Sequence, residues 1–213
     1  MANRPAWRFD SEKKKIERNS YEFVFNAGFS IVQKQKNIRA LHEQIGRKAL
    51  EISTKSLEEL GIKFSAFNLK LDHIFLENIF QSSKKYEHGG PYKDMLNMAP
   101  KDAKRDERHQ TSGKLISFIY NKEEFPLEPK TFFYDYIYIL SVRECIPAEE
   151  IKKLLEYEYF TDIEFNPKKS INCQAKSAAV IKALLLEYGE LPNIQKNRKE
   201  YEQFYKSIGA DCV

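Results

Sequence analysis

The chain has 213 residues, of which 42% are hydrophobic and 31% are charged, so it can bury a core and is too apolar to be a disordered chain. Its 35 basic and 31 acidic residues give a formal charge of +4, which permits contact with nucleic acid without requiring it. The length fits one domain, and no stretch approaches the roughly 20 apolar residues that cross a bilayer.

The three cysteines, Cys145, Cys173 and Cys212, are widely spaced and odd in number. This pattern is typical of free thiols in a reducing compartment rather than of a disulfide framework. No histidine or cysteine spacing indicates a metal site, and the first residues lack the apolar core of a signal peptide. We therefore expect a cytoplasmic protein that binds neither a metal nor a membrane.

The N-terminal part begins with a polar segment and continues with apolar ones. Residues 1–20 are lysine-rich and are expected to form a partly ordered arm, with residues 21–213 forming a single domain. The apolar stretch 21–29 predicts a strand. Over residues 34–51 the apolar side chains recur at helical intervals, which favours an amphipathic helix, and residues 62–71 alternate loosely, as a strand or extended loop does.

The rest of the chain is mainly helical. A helix is predicted over residues 72–86, with Asp72 as its N-cap and the sequence Gly89-Gly90-Pro91 after its end. Residues 115–120 and a short strand around Phe125 predict a hairpin. Helical spacing, N-terminal proline or terminal glycine predicts four more helices, over residues 131–142, 147–158, 170–188 and about 199–208. The expected fold is α+β, a mainly helical single domain with a small β-sheet or hairpin.

The helix over residues 72–86 carries the most suggestive group of side chains. Glu77, Gln81 and Lys84 stand at i, i+4 and i+7, which aligns them in one polar stripe. A carboxylate that exchanges protons, an amide that orients and an amine that attacks suit the cleavage of a glycosidic bond. The alternative is a solvated helix face or a simple ion pair, and Lys85 offers a second amine on an adjacent face.

Three blocks of sequence resemble the NADAR family of YbiA-like proteins. Residues 77–84 match the pattern E-x-x-F-Q-x-x-K of that family, and Phe64-Ser65-Ala66-Phe67-Asn68 is similar to its F-S-N-F segment, with alanine in place of asparagine. Tyr159-Phe160-Thr161-Asp162, followed by Asn172, is similar to its Y-W-G-D segment and later asparagine, with phenylalanine in place of tryptophan. The resemblance implies a YbiA-like fold.

One branch of the family, the DarT-associated NADAR antitoxins, is the most similar. The segments that carry this resemblance are Gln33-Lys34-Gln35-Lys36, Gly89-Gly90-Pro91-Tyr92, and residues 103–108, 126–131 and 165–174. It implies a partner toxin of the DarT type that attaches ADP-ribose to guanine in DNA. It also implies an N-glycosidase that removes the ADP-ribose and restores the base, without a cofactor.

The resemblance implies roles for particular residues. Lys84 would attack the anomeric carbon of the ribose and pass through an imine, and Glu77 would act as general acid and base. The amine must lose its proton for this, which requires burial or a neighbouring cation. Gly89 and Gly90 are candidates for part of a lid, and the candidates for holding the pyrophosphate are Arg105, Arg108, Lys168 and Lys169. The residues expected to bind substrate are Ser65, Phe67, Asn68, Gln81, Gly89, Gly90, Arg105, Arg108, Phe160, Asp162 and Asn172.

Two other functions stay open at this point. The basic C-terminal third permits a non-enzymatic module that binds nucleic acid or the toxin. The same chemistry also permits a hydrolase of a free ADP-ribose-like riboside. If the chain is the N-glycosidase that the resemblance implies, ADP-ribosylated DNA is the substrate, ADP-ribose is the product and a cognate DarT-type toxin is the functional partner.

Overall fold

The computed structural model describes residues 1–211, in which short strands alternate with helices. Cys212 lies outside the described residues. The strands are β1 (Ala2–Asp10), β2 (Lys15–Phe23), β3 (Ala49–Glu51), β4 (Lys70–Leu71), β5 (Ile74–Phe75), β6 (Lys84–Tyr86), β7 (Leu115–Tyr120), β8 (Glu123–Pro126) and β9 (Tyr159–Thr161). The helices are α1 (Ile31–Ile45), α2 (Glu59–Lys63), α3 (Leu76–Ser82), α4 (Pro100–Arg105), α5 (Arg108–Thr111), α6 (Phe132–Cys145), α7 (Ala148–Lys152), α8 (Gln174–Tyr188) and α9 (Arg198–Ser207).

The first residues form a hairpin and not the expected arm. β1 and β2 pair antiparallel along their whole length, and β1 also pairs with β9 in a four-stranded sheet of order β2-β1-β9-β3. The polar composition misled the prediction because the lysines concentrate in the turn. Three residues of the hairpin are buried, Trp7 and Ile16 in the main core and Ala6 in a smaller one.

The helix expected over residues 34–51 is α1, and it ends earlier. Gly46 takes the left-handed conformation with φ 63°, and its N–H bonds to the carbonyl of His42. This αL cap stops the helix, and the chain then enters β3, which runs parallel to β9. The predicted strand at residues 21–29 likewise ends at Phe23.

The helix expected over residues 72–86 is also shorter. Asp72 and His73 have φ of 51° and 66° and make the turn between β4 and β5, so the helix begins only at Leu76. After Ser82 the chain passes into β6, which pairs with β7 in the three-stranded sheet β6-β7-β8. The hairpin predicted over residues 115–126 is confirmed, and the α+β fold class with more helix than strand is confirmed as well.

Two long helices, α6 and α8, each contribute more residues to the main core than any other element. Both are buried over most of their length, and α8 ends at Gly189, as the sequence predicts. The predicted helix at 147–158 divides into α7 and a 3₁₀ turn at Lys153–Glu156. A smaller core packs α1 against the four-stranded sheet. Within residues 1–211 no helix is both long enough and apolar enough to span a bilayer.

Candidate active site

Two adjoining cavities form a cleft that is lined by Glu77 of α3 and by Lys84, which lies on β6 and not on the helix. The smaller, of about 180 Å³, is lined by Glu77, and the larger, of about 460 Å³, is lined by Lys84. Tyr134 on α6 and Asn172 before α8 line both. The carboxylate and the amine therefore face neighbouring parts of one cleft.

Gln81 connects the two groups through its side-chain amide. Its Nε2 donates to Glu77 Oε1 at 2.7 Å, and its Oε1 accepts from Lys84 Nζ at 2.6 Å. The first contact arises because Glu77 and Gln81 lie one helical turn apart on α3. Since the amide nitrogen faces Glu77, the amide oxygen must face Lys84, and the orientation of the amide is defined by both neighbours.

Lys84 has the environment that a nucleophilic amine requires. The pKa of Lys84 is lowered to about 8, mainly by burial, which the charge of Glu77 opposes and that of the nearby Lys104 reinforces. Its Nζ lies 5.2 Å from the centre of the Phe80 ring. A lysine whose pKa is near neutrality holds a useful fraction of free amine at cellular pH.

Lys85 lies on the other face of the same strand. Its Nζ lies 3.7 Å from Glu124 Oε1 on β8, and it lines neither cavity of the cleft. Successive side chains of a strand point in opposite directions, so only one of the two lysines faces the cleft.

Glu77 is not held in an ion pair with Lys84. Its charged neighbour is the exposed Lys104, with 3.7 Å between Nζ and Oε2, and Gln81 occupies the space on the side of Lys84. The carboxylate is mostly covered by protein yet lines the smaller cavity. A carboxylate in this position has access to a bound molecule.

Asp162 and Gln174 form the far wall of the smaller cavity. Gln174 Nε2 donates to Asp162 Oδ2 at 3.0 Å, and Gln174 Oε1 accepts from the backbone N–H of Ala66 at 2.8 Å. Burial and the nearby Glu51 carboxylate raise the pKa of Asp162 well above the usual range of an aspartate. This wall is therefore a fixed polar surface that joins three distant segments of the chain.

Aromatic side chains complete the cleft. Phe67 is 63% exposed at the rim of the smaller cavity, and Phe165 lines its interior. Tyr134 packs edge-on to Phe80, with 5.6 Å between ring centres, and separates the two cavities. Exposed and half-buried rings of this kind can stack on a base or an adenine.

Comparison with known protein families gives a match over nearly the whole chain. The model for the DarT1-associated NADAR antitoxin family matches residues 2–211. The chain belongs to this family. The match extends from β1 through α9, so every residue that lines the cleft lies within it. A search of curated proteins found no match.

Six of the residues that the NADAR resemblance selects line the cleft or belong to the hydrogen-bonded chain Glu77–Gln81–Lys84, which we call the relay. Five of them line a cavity, namely Glu77, Lys84, Phe67, Asp162 and Asn172. Gln81 is the sixth, through its bonds to Glu77 and Lys84. Tyr134 was not among the selected residues, because the aromatic run of α6 hides it among core residues. Gln174 lies with Asn172 near the start of α8, where free backbone amides favour a polar ligand, and this position was the sequence signal for it.

Phe160 lies elsewhere than expected. It is fully buried in β9, between β1 and β3, so it packs in the core and cannot stack on a bound base. Asn68 is exposed and donates to the carbonyl of Ile62. Ser65 is fully buried, and its hydroxyl has no hydrogen-bond partner among the residues that the structure describes. None of these three residues lines either cavity.

Of the remaining candidates, Lys169 lines the larger cavity and the others lie outside both cavities. Arg108 pairs with Asp94 at 2.7 Å and Asp106 at 2.8 Å, so its charge is already used within the protein. Arg105 ends α4 on the surface. Gly89 and Gly90 shape the turn after β6, where a side chain at Gly90 would collide with the Lys84 carbonyl.

Proposed function

We propose that the chain is an N-glycosyl hydrolase that removes ADP-ribose from guanine in DNA and so acts as the antitoxin of a DarT-type toxin. Membership of the DarT1-associated antitoxin family supports the biological role. The observation that carries the chemistry is the relay Glu77–Gln81–Lys84, with its two ends in adjoining cavities.

The larger cavity suits the ADP-ribose. At about 460 Å³ it falls in the range of small-molecule sites, roughly 300–1,000 Å³. Lys130 and Lys169 line it together with apolar side chains, and their charges complement a pyrophosphate. The guanine would then occupy the smaller cavity, with the anomeric carbon at the junction that Tyr134 and Asn172 mark.

The relay accounts for each bond that changes. The neutral amine of Lys84 attacks the anomeric carbon, the bond from that carbon to guanine breaks, and Glu77 gives a proton to the departing base. The sugar ring opens to leave an imine between carbon and Nζ. Water activated by Glu77 adds to the imine carbon, and loss of the amine releases ADP-ribose. The sum is one water consumed per bond cleaved.

The test uses an oligonucleotide that carries ADP-ribose on guanine, with the products measured by mass spectrometry. We expect the unmodified protein to restore the base, and both Glu77→Gln and Lys84→Ala to lose this activity by at least about 100-fold. Lys85→Ala is the matched control and should keep it. Borohydride should reduce the imine and leave a mass adduct on the peptide that contains Lys84.

The same variants and substrates also test the other two functions. If both variants protect cells from the toxin as well as the unmodified protein, the chain acts by binding and the enzymatic proposal is wrong. If the modified mononucleotide is cleaved and the oligonucleotide is not, the substrate is a free riboside. An adduct on Lys85 in place of Lys84 would reject the assigned nucleophile.

A further inference from the structure

An exposed apolar segment follows the N-terminal hairpin. We call residues 24–32 the Phe29 segment, and its exposed members are Val24, Phe25, Phe29, Ile31 and Val32. Phe29 is 97% exposed, which is unusual for a large aromatic side chain. Single exposed apolar residues need no explanation, but several side by side are typical of an interaction surface.

The segment is held in this conformation by hydrogen bonds. Asn26 N–H donates to Asn37 Oδ1 at 2.7 Å, and Asn37 Nδ2 returns a bond to the Asn26 carbonyl at 2.9 Å. Gln33 Nε2 donates to the Ala27 carbonyl at 3.1 Å, and Ser30 caps α1. The backbone around Phe29 is therefore fixed to a buried asparagine, and the ring projects from a rigid base.

The surroundings of the segment are basic. The chain has no acidic residue from position 24 to position 42, where Lys34, Lys36 and Arg39 occur. Val32, Lys36 and Arg39 follow each other at i, i+4 and i+7 and are all exposed, so α1 presents one apolar and two basic side chains on one outer face. Aromatic and basic side chains together are the combination that binds single-stranded nucleic acid.

The first turn of α1, which follows the Phe29 segment, contacts the edge of the smaller cavity through one ion pair. Lys34 Nζ lies 3.1 Å from Glu164 Oε1, and Glu164 lines the smaller cavity. Residues 165–186 also contain no acidic residue. In this stretch Lys169 and the exposed Ile171 line the larger cavity, and Lys168 is exposed beside them. Two basic segments with exposed apolar side chains thus flank the cleft in which the modified base would lie.

We propose that the Phe29 segment and the outer face of α1 bind the nucleic-acid strand on one side of the modified guanine. This inference rests on the proposed function and specifies its substrate as an unpaired or flipped-out nucleotide within a strand. The Phe29 ring stacks on a neighbouring base, while Lys36 and Arg39 contact phosphates. The charge pattern favours a polyanion over a protein surface, because a protein partner would not require an acid-free stretch on both sides of the cleft.

Binding of an unmodified single-stranded oligonucleotide, followed by fluorescence anisotropy, tests the surface without reference to activity. We expect Phe29→Ser to weaken binding by about 5- to 100-fold, the loss of one stacked base. Leu186→Ser removes another exposed apolar side chain, at the far end of α8, and should leave binding unchanged. Equal affinities for the two variants would overturn the proposal.

Salt dependence tests the phosphate contacts separately. Lys36→Gln and Arg39→Gln should each reduce the slope of log affinity against log salt by about 0.7. Lys153→Gln, which removes an exposed lysine of the 3₁₀ turn, should not change it. An unchanged slope in the first two variants would show that these side chains do not contact phosphate.

Activity then distinguishes this proposal from the proposed function. If the unmodified protein cleaves no ADP-ribosylated substrate at all, the proposed function is wrong, whereas the binding results still decide the role of the surface. If it does cleave, Phe29→Ser should slow release from the oligonucleotide and leave release from the modified mononucleotide unchanged. A variant that binds DNA normally but fails to protect cells from the toxin would point to a protein partner and reject the nucleic-acid surface.

Discussion

Gln81 lies between the carboxylate of Glu77 and the amine of Lys84, so a negative charge introduced at this position tests the relay. Gln81→Glu keeps the size of the side chain but places a negative charge where the amide oxygen accepts from Lys84 Nζ at 2.6 Å. An opposite charge so close favours the protonated amine and raises a lysine pKa by about 1 to 3. The pKa of Lys84, now about 8, should rise to roughly 9 to 11.

The effect on rate follows from the fraction of neutral amine. With a pKa of about 8, about one quarter of the Lys84 side chains are neutral near pH 7.5. That fraction falls to between about 3% and 0.03% if the pKa is roughly 9 to 11. Single-turnover release of ADP-ribose should therefore fall about 10- to 1000-fold near neutral pH and recover as the pH rises towards about 10.

The assay is the pH profile of single-turnover release from the modified oligonucleotide, measured for both proteins. Gln195→Glu is the matched control, because it adds the same charge at an exposed position outside the cleft. The reasoning is refuted if Gln81→Glu loses activity by the same factor at every pH, since the loss would then be structural. It is also refuted if the apparent pKa of release falls or stays near 8.

Three further predictions concern stability. Phe160→Ala should lower the free energy of unfolding by about 3–5 kcal/mol, because the ring is fully buried in β9; urea denaturation measures this, and a loss below about 1 kcal/mol would contradict its place in the core. Lys176→Met should destabilise by about 3–5 kcal/mol, because it leaves buried Asp135 without its cation at 3.2 Å, and adding Asp135→Leu should recover part of the loss. Burial lowers the pKa of His42 from 6.5 to about 4, so the stability it contributes is present above pH 6.5 and is lost as the pH falls towards 4. His42→Gln should therefore reduce the pH dependence of the melting temperature over that range. An unchanged pH dependence would refute this.

Local signals predicted the elements that local interactions determine. The hairpin of β7 and β8, the helix α6 and the end of α8 at Gly189 each follow from periodicity or from a residue with a special backbone preference. β3 and β9 have only three residues each and carry no periodic signal. They form because distant segments pair, as does β1 with β9, and pairing of this kind leaves no trace in a short sequence window.

The site shows the same division. The spacing of Glu77 and Gln81 predicted their contact, because both lie on α3. Tyr134 and Gln174 come from α6 and α8 and reach the cleft only through tertiary packing. Phe160 was misassigned because β9 is an inner strand whose residues are all buried, so the in-and-out alternation that exposes every second side chain does not apply to it.

The end of α3 decides which lysine enters the cleft. No glycine or proline stops the helix, and the Ser83 carbonyl accepts from the Ile119 N–H of β7 at 2.7 Å. The chain is thereby drawn into the three-stranded sheet, where Lys84 pairs with Phe118 and Lys85 with Ser117.

In a continued helix the two lysines would differ by about 100° in direction and would lie on adjacent faces, so the spacing would not decide between their amines. On a strand they point to opposite faces, which directs Lys84 towards Gln81 and Lys85 towards Glu124. A tertiary hydrogen bond at the helix terminus thus resolves a choice between adjacent amines that the i, i+4, i+7 spacing left open. Any change that lengthens α3 by one turn should remove the distinction between them.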